Sequence, residues 1–392
     1  MKRLKRFFGI SKLGGLEFII ALYPILSSYN YGAFLSYLAI PLLLSIIVLI
    51  ALPSKKMDYD LKPVVILMLF LFVHFFVCLF VIDNQPSYYY NSFIQILVIL
   101  FSFLIILPYL NINKLCSCIN LIGVVAACGL VYHSVEIFMG HSISTIEIPF
   151  LPSPGESSRV FAIVQRPVSF FTEPQTYVSY MLVPLFLALT RKNIIWAIMI
   201  SITILLSGST TGIATIGILF GAFVIASKPG KFYSLLMIIA IIGLGYFLCF
   251  SEYTTAGLDK LNGTNLGENM RVINGLLVVR FMSILDLIFG VPYSNATDFC
   301  FGTGITNNVI LDSTDHVFIS AFWIALIQYG VIGLFVYLNI YYDILKKDKG
   351  IFPFWLCVVV LLFTNPDFIG ANFLFIILFS YTYVNQKKLI QR

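Results

Sequence analysis

Residues 174–190, PQTYVSYMLVPLFLALT, run into Arg191-Lys192, and residues 193–207, NIIWAIMISITILLS, follow at once. These two apolar runs read as a helical hairpin in a membrane. Each approaches the ~20 residues needed to cross the hydrocarbon core, and a chain surrounded by lipid must satisfy its backbone internally, as helix. The pair Arg191-Lys192 marks the turn as cytoplasmic, because short cytoplasmic loops carry the excess of Lys and Arg. After the turn Ser207-Gly208-Ser209-Thr210-Thr211-Gly212, on the outer side, a third run over 211–227 returns to Lys228 and Lys231.

Extending the pattern outward predicts spans at about 14–30, 33–52, 63–82, 92–109, 116–138, 174–190, 193–207, 211–227, 232–250, 316–342, 351–364 and 369–385. The last two are separated only by Asn365-Pro366-Asp367. They count as two because Lys346, Lys347 and Lys349 before them, and Lys387 and Lys388 after them, must share the cytoplasmic side. The expectation is an all-α polytopic membrane protein, a single integral membrane domain over 1–392 with about twelve transmembrane helices and both termini cytoplasmic.

Composition agrees. The chain is 59% apolar and 11% charged, with a mean hydropathy of +0.96, whereas soluble domains average roughly 25% charged. The net charge of +6 follows from the cytoplasmic excess and does not call for nucleic acid. Seven scattered cysteines, of which only Cys116 and Cys118 are close, read as small core residues and form no zinc pattern. The basic start, Lys2 to Lys12, leads into a full-length span without a small-residue cleavage pattern, so no cleavable signal peptide is expected.

Nineteen of the twenty-four Lys and Arg fall on the cytoplasmic side of this scheme. The other five, Arg159, Arg166, Lys260, Arg271 and Arg280, lie in two long outer loops, 139–173 and 251–315, where orientation asks for no positive charge. Most other connections are a few residues long, and loops beyond about 12–15 residues usually carry function. Within the second loop, 272–289 is apolar enough to suggest a span but carries Arg280, Ser283 and Asp286 at intervals of three. That spacing predicts an amphipathic helix lying at the outer interface.

The first loop ends in Arg166-Pro-Val-Ser-Phe-Phe-Thr172-Glu173-Pro174-Gln175. Thr172 with Gln175 fits a capping box, Pro174 an early helical turn, and Glu173 the positive end of a helix. Glu173 also fits a carboxylate that accepts or orients a hydroxyl proton near Arg166. Arg159 and Arg166 are either anion contacts or interfacial arginines snorkelling to lipid phosphate. In the second loop, Gly302-Thr303-Gly304 reads as a turn. His316, at the mouth of the next span with Asp312 and Asp315 nearby, is either a side chain that titrates near neutrality or a capping or core histidine. The hydroxyls of 207–212 read as caps first and sugar contacts second. Glu17, an acid well inside the first span, is either a functional residue or paired within the bundle. Tyr88, Tyr89 and Tyr90, placed on an outer loop, could stack on sugars.

Twelve spans with two enlarged outer loops, Arg166 before Phe-Phe-Thr172-Glu173-Pro174, the Ser207–Gly212 turn, and Gly302-Thr-Gly304 ahead of His316 and Gly330 resemble the O-antigen and repeat-unit polymerases (the Wzy family), within the group that includes the O-antigen ligases. The resemblance covers nearly the whole chain in architecture, through short motifs. It implies an enzyme of lipopolysaccharide biosynthesis in the bacterial inner membrane, with both large loops periplasmic. It also implies that loop arginines, here Arg166, Arg271 and Arg280 with Arg159 as a further candidate, bind the diphosphate of an undecaprenyl-linked oligosaccharide. Glu173 and His316 are then the catalytic candidates. A histidine at the position of His316 fits the ligase pattern as well as the polymerase one. Membrane lipid and a chain-length regulator protein are the other partners such a role implies.

The chemistry is coherent, because guanidinium groups match a lipid diphosphate in bidentate geometry and can stabilise charge on it as a leaving group. No cluster of His, Asp and Cys suggests a metal, so a metal-independent, cofactor-free glycosyl transfer is expected. The rival readings are a ligase joining glycan to lipid A core, a more distant peptidoglycan-type glycosyltransferase, and a lipid-linked oligosaccharide flippase. A flippase would need charge along a path through the spans and mostly short loops.

Overall fold

A computed structural model describes residues 7–10, 12–29, 38–51, 59–81, 87–152, 166–227, 270–291, 299–300, 302–304, 307–308, 315–316, 319–366 and 368–390. Its helices are α1 (Gly15–Leu26), α2 (Ala39–Ala51), α3 (Lys62–Val81), α4 (Ser87–Ile106), α5 (Ile112–Phe138), α6 (Pro174–Thr190), α7 (Ile194–Leu206), α8 (Thr210–Ser227), α9 (Met270–Val279), α10 (Ile284–Phe289), α11 (Ala321–Lys347), α12 (Phe352–Thr364) and α13 (Ala371–Ile390). Among the described residues, one antiparallel pair of two-residue strands, β1 (Asn307–Asn308) and β2 (Asp315–His316), accompanies the helices. The expected span 232–250 lies outside the described residues; every other expected span falls on a helix.

Among the described residues, α3, α5 and α11 are long and apolar enough to cross a membrane. Shorter apolar helices, including α1, α2, α7 and α8, accompany them. Large apolar side chains face outward on several: Ile50 is 77% exposed, Leu69 61%, Ile195 63% and Phe335 70%. A water-soluble surface does not tolerate such a belt, so the protein associates with a membrane.

Local chemistry sets the helix boundaries. The Asn111 side chain accepts the amides of Asn113 and Lys114 to start α5, Asn193 accepts that of Trp196 to start α7, and Pro174 occupies the first turn of α6, where its missing N–H costs nothing. Helix α6 is the centre of the bundle, with Tyr177 through Leu189 all buried. Close approach of α5 to α6 occurs at Gly123, where a Cβ would come within 3.2 Å of the Pro184 ring.

Among the described residues, contacts gather Arg191, Lys347 and Lys387 at one end of the bundle. Arg191 donates to the Gly9 carbonyl (3.1 Å) and Asn193 to that of Phe7. Lys347 pairs with Asp343 (2.6 Å) and donates to the Asp60 carbonyl (2.9 Å), and Lys387 pairs with Asp348 (2.7 Å). Gln386 accepts the Ile112 amide (3.0 Å) and donates to the Leu110 carbonyl (2.7 Å) and the Tyr59 hydroxyl (2.8 Å). Glu17 belongs here too: it is 4% exposed and accepts the Asn111 amide at 3.0 Å, so it holds the bundle together at the basic end.

The structure corrects several sequence-based expectations. Segment 272–289 is not one amphipathic helix but two, α9 and α10. Ser283 accepts the Asp286 amide and Asp286 accepts that of Ser283, both at 3.1 Å, and this reciprocal capping box starts a new helix. The helix expected from 316 begins at Ala321, capped by Ser320, because Asp315 and His316 pair as strand with Asn308 and Asn307. Tyr88, Tyr89 and Tyr90 belong to the first turn of α4 rather than to a loop. Cys128 is exposed, while Cys78, Cys116, Cys118, Cys300 and Cys357 are buried.

Candidate site at the end opposite the basic residues

Helix α5 leaves the basic end and α6 returns to it, so residues 139–152 and 166–173 lie at the opposite end. The second of these segments, carrying Arg166 and Glu173, lies as a strap across the end of α5. Ser169 adopts a left-handed backbone (φ 59°), uncommon for a residue with a side chain. The amides of Val168 and Ser169 both donate to Nδ1 of His133 on α5, at 3.4 and 3.1 Å, so that nitrogen carries no proton. The Ser169 hydroxyl donates to the Ala126 carbonyl (2.8 Å). Gly129, between Ala126 and His133 on the same helical face, leaves room for the strap: a Cβ there would sit 2.5 Å from Ser169 Oγ and 2.9 Å from the Phe170 ring.

A second layer covers the strap. The Ile146 amide donates to the Ser169 carbonyl (3.2 Å), the Ile146 carbonyl accepts from the Tyr29 hydroxyl (2.7 Å), and Thr145 reaches the Phe171 carbonyl at 3.5 Å. At one end of the strap, half-buried Arg166 passes over Gly208 in the turn between α7 and α8; its Cδ would lie 3.8 Å from a Cβ built there. At the other end, half-buried Glu173 caps α6 through its backbone, its carbonyl accepting from Thr176 (3.1 Å) and Tyr177 (3.2 Å). The cap residue is therefore Glu173 itself and not Thr172, and its side chain makes no capping bond. That leaves the carboxylate outside the helix ladder.

The second loop docks through backbone. Helix α11 is broken at Gly330 (φ 67°, ψ −175°), and Gly290 just after α10 is also left-handed (φ 87°). The two approach so closely that a Cβ on Gly330 would lie 2.3 Å from the Ile288 carbonyl, and one on Gly290 2.3 Å from that of Gln328. The break frees the Ile327 carbonyl, which accepts the Val291 amide at 2.8 Å. From α3, His74 Nε2 lies 3.2 Å from the Phe289 carbonyl, and its ring packs edge-on against Tyr329. Val278, Val291, Cys300, Ile319 and Ile327 form a small separate core beneath. Burial pushes the Cys300 thiol up to about 12. Arg280, between α9 and α10, is exposed. Phe281, Ile284, Leu285 and Phe289 are exposed beside it.

The two helices that follow these loops meet at Asn365. Its carbonyl accepts the Ala321 amide at the start of α11 (2.7 Å), and its Nδ2 lies 3.4 Å from Ser179 Oγ in α6. Beneath this junction Ser179, Tyr337, Tyr341, Asn365 and Asn372 help line a cavity of about 30 Å³, room for a water or two.

The structure thus brings Arg166 and Glu173 to the two ends of one clamped strap and leaves Arg280 exposed on the separate α9–α10 hairpin. Arg271 lies on the first turn of α9 and His316 in β2, both with side chains outside the described residues; Arg159 and Asp312 are outside them altogether. Gly302-Thr303-Gly304 forms a turn, with the Thr303 hydroxyl donating to the Cys300 carbonyl (2.8 Å). His133, His74 and Asn365 escape sequence reasoning because a lone histidine in an apolar helix or an asparagine beside a proline carries no spacing signal. Among the described residues no three His, Cys, Asp or Glu gather where they could hold a metal ion.

No family model, curated protein or solved structure matches this chain. The arrangement itself is a guanidinium and a carboxylate carried by one clamped strap, and a separate hairpin that exposes Arg280 and an apolar outer face.

Proposed function

We propose that this chain is an O-antigen repeat-unit polymerase, a metal-independent glycosyltransferase at the periplasmic face of the bacterial inner membrane. On this reading about twelve helices span the membrane, the basic end is cytoplasmic, and loops 139–173 and 251–315 are periplasmic. The observation that carries the reading is the clamped strap bearing Arg166 and Glu173 at the end of the bundle away from the cytoplasmic charge. Such a pair suits an anionic leaving group and a hydroxyl nucleophile.

In the proposed reaction, the hydroxyl of an acceptor repeat unit attacks the anomeric carbon of a lipid-linked donor. The new C–O bond forms as the bond to the undecaprenyl diphosphate breaks. Glu173 or His316 receives the hydroxyl proton. Arg166, Arg271 and Arg280 neutralise the diphosphate as it leaves, and Arg159 supplies a further cation. Charge kept outside the spans favours this chemistry over a flippase, which needs a charged path through them.

A strain deleted for the gene tests the proposal: it should display core bearing a single repeat unit. Loss of every surface repeat unit would point to a ligase or a flippase instead. Reporter fusions after Ser157 and Asn262 check the topology, since cytoplasmic activity at either would place the loops on the wrong side.

A further inference from the structure

We propose that His133 is a positioning residue: its imidazole sets the conformation of the strap that carries Arg166 and Glu173, and so the separation of those two groups. The inference rests on the polymerase reading for what the separation serves, and on geometry alone for the clamp.

The strap has no helix or strand of its own, and a left-handed Ser169 is a conformation it would not hold unaided. Four features on one face of α5 enforce it. His133 Nδ1 takes the two consecutive amides of Val168 and Ser169, and the Ala126 carbonyl takes the Ser169 hydroxyl. Gly129 supplies the space, and His133, 2% exposed, is walled off from competing water. A buried acceptor shared by two amides is costly to lose, because both donors would be left unsatisfied. Pro167 and Val168 are buried and sit directly between His133 and Arg166, so a shift at 168 is passed to Arg166 within two residues. On the other side, three residues separate Ser169 from Glu173, and Phe171, fully buried against Tyr177 and Tyr180, transmits the strap's position to the start of α6.

The test uses the full-length protein in its native membrane with Val168→Cys as a reporter, since Val168 is only 6% exposed. A membrane-impermeant maleimide is applied from the outer side, and modification at 168 is quantified by mass spectrometry. His133→Leu removes the acceptor at similar volume. His133→Asn keeps an oxygen where Nδ1 stood. Gly129→Ala is the control for misfolding, because it favours α5 itself while pushing the strap away.

The expected result is a rise in labelling of about tenfold and a fall in long glycan of about tenfold for His133→Leu and Gly129→Ala, at unchanged protein abundance, with His133→Asn near the parent in both. Unchanged labelling in His133→Leu and Gly129→Ala would overturn the clamp. So would a His133→Asn variant that behaves like His133→Leu. Increased labelling with full-length glycan would show a clamp that does not position the site, and would equally overturn the proposal. Polymer made by the host without the gene would bring down the polymerase reading, and it is seen before any variant is introduced. The labelling arm requires no turnover.

Discussion

The two long loops are held in opposite ways. The strap over 166–173 brings no structure of its own and is gripped by side chains of a continuous helix: His133, with room left by Gly129. The hairpin of α9 and α10 brings its own helices and a small core, and docks backbone to backbone where α11 is broken at Gly330. The first arrangement fixes individual atoms and suits groups that must be placed within a fraction of an ångström. The second fixes a rigid unit as a whole and leaves its outer face, with Phe281, Ile284 and Leu285, exposed.

The strongest way to sharpen this comparison is to ask whether both loops supply guanidinium groups to the reaction. Arg166→Lys and Arg280→Lys keep charge but lose the planar fork, and each should cost on the order of 3 kcal/mol in the transition state, about a hundredfold in rate. Gel profiles of surface glycan, normalised to protein abundance, read this out; Arg271→Lys belongs in the same series. Normal polymer from Arg280→Lys alone would confine anion binding to the strap. Normal polymer from all three would remove the diphosphate clamp altogether.

Glycine replacements probe the docking mode next. Gly330→Ala forces a Cβ to within 2.3 Å of the Ile288 carbonyl at a positive φ, and should lower stability by about 3 kcal/mol. Gly208→Ala also has a positive φ, but its nearest neighbour is the Arg166 stem at 3.8 Å, so about 1 kcal/mol is expected. Thermal unfolding in detergent compares them. Equal losses would mean that the backbone clasp contributes nothing beyond φ strain.

Ser283→Ala removes one half of the capping box and should destabilise α10 by about 1 kcal/mol. Amide exchange should quicken at Leu285 to Phe289 and stay unchanged at Val168 and Ser169. Faster exchange in both would show that the loops are coupled rather than separately anchored.

The smallest effect concerns Cys300. With its thiol raised to about 12 by burial, it should resist alkylation at pH 8 in the folded protein and react once unfolded. A raised folded pKa stabilises the fold at pH values below the ordinary thiol range of about 9, and that contribution fades as pH climbs from there toward 12. Rapid alkylation of Cys300 in native membranes would mean that the small core under the hairpin is open.

The helices were legible because apolar length and basic flanks act residue by residue and need no partner. The start of α6 was legible through Pro174, and Arg166, Glu173 and Arg280 stood out because the expected orientation asks for no charge in those loops. What could not be read depends on distant partners. Arg280, Ser283 and Asp286 share a helical period, yet the reciprocal bonds of Ser283 and Asp286 end one helix and start another. His133 is one polar residue in an apolar run until the strap, more than thirty residues later, places two amides on it. Gly330, although part of the motif that carries the resemblance, gives no sign of a helix break until Gly290 meets it.

Gln386 gives the basic end a timetable. It bonds the Leu110 carbonyl 276 residues earlier, the Ile112 amide and the Tyr59 hydroxyl. At translation rates of about 5–20 residues per second, roughly 14–65 s separate the synthesis of those partners from that of the side chain that joins them. Until α13 is made, the Leu110 carbonyl and the Ile112 amide at the start of α5 lack the partner that Gln386 supplies.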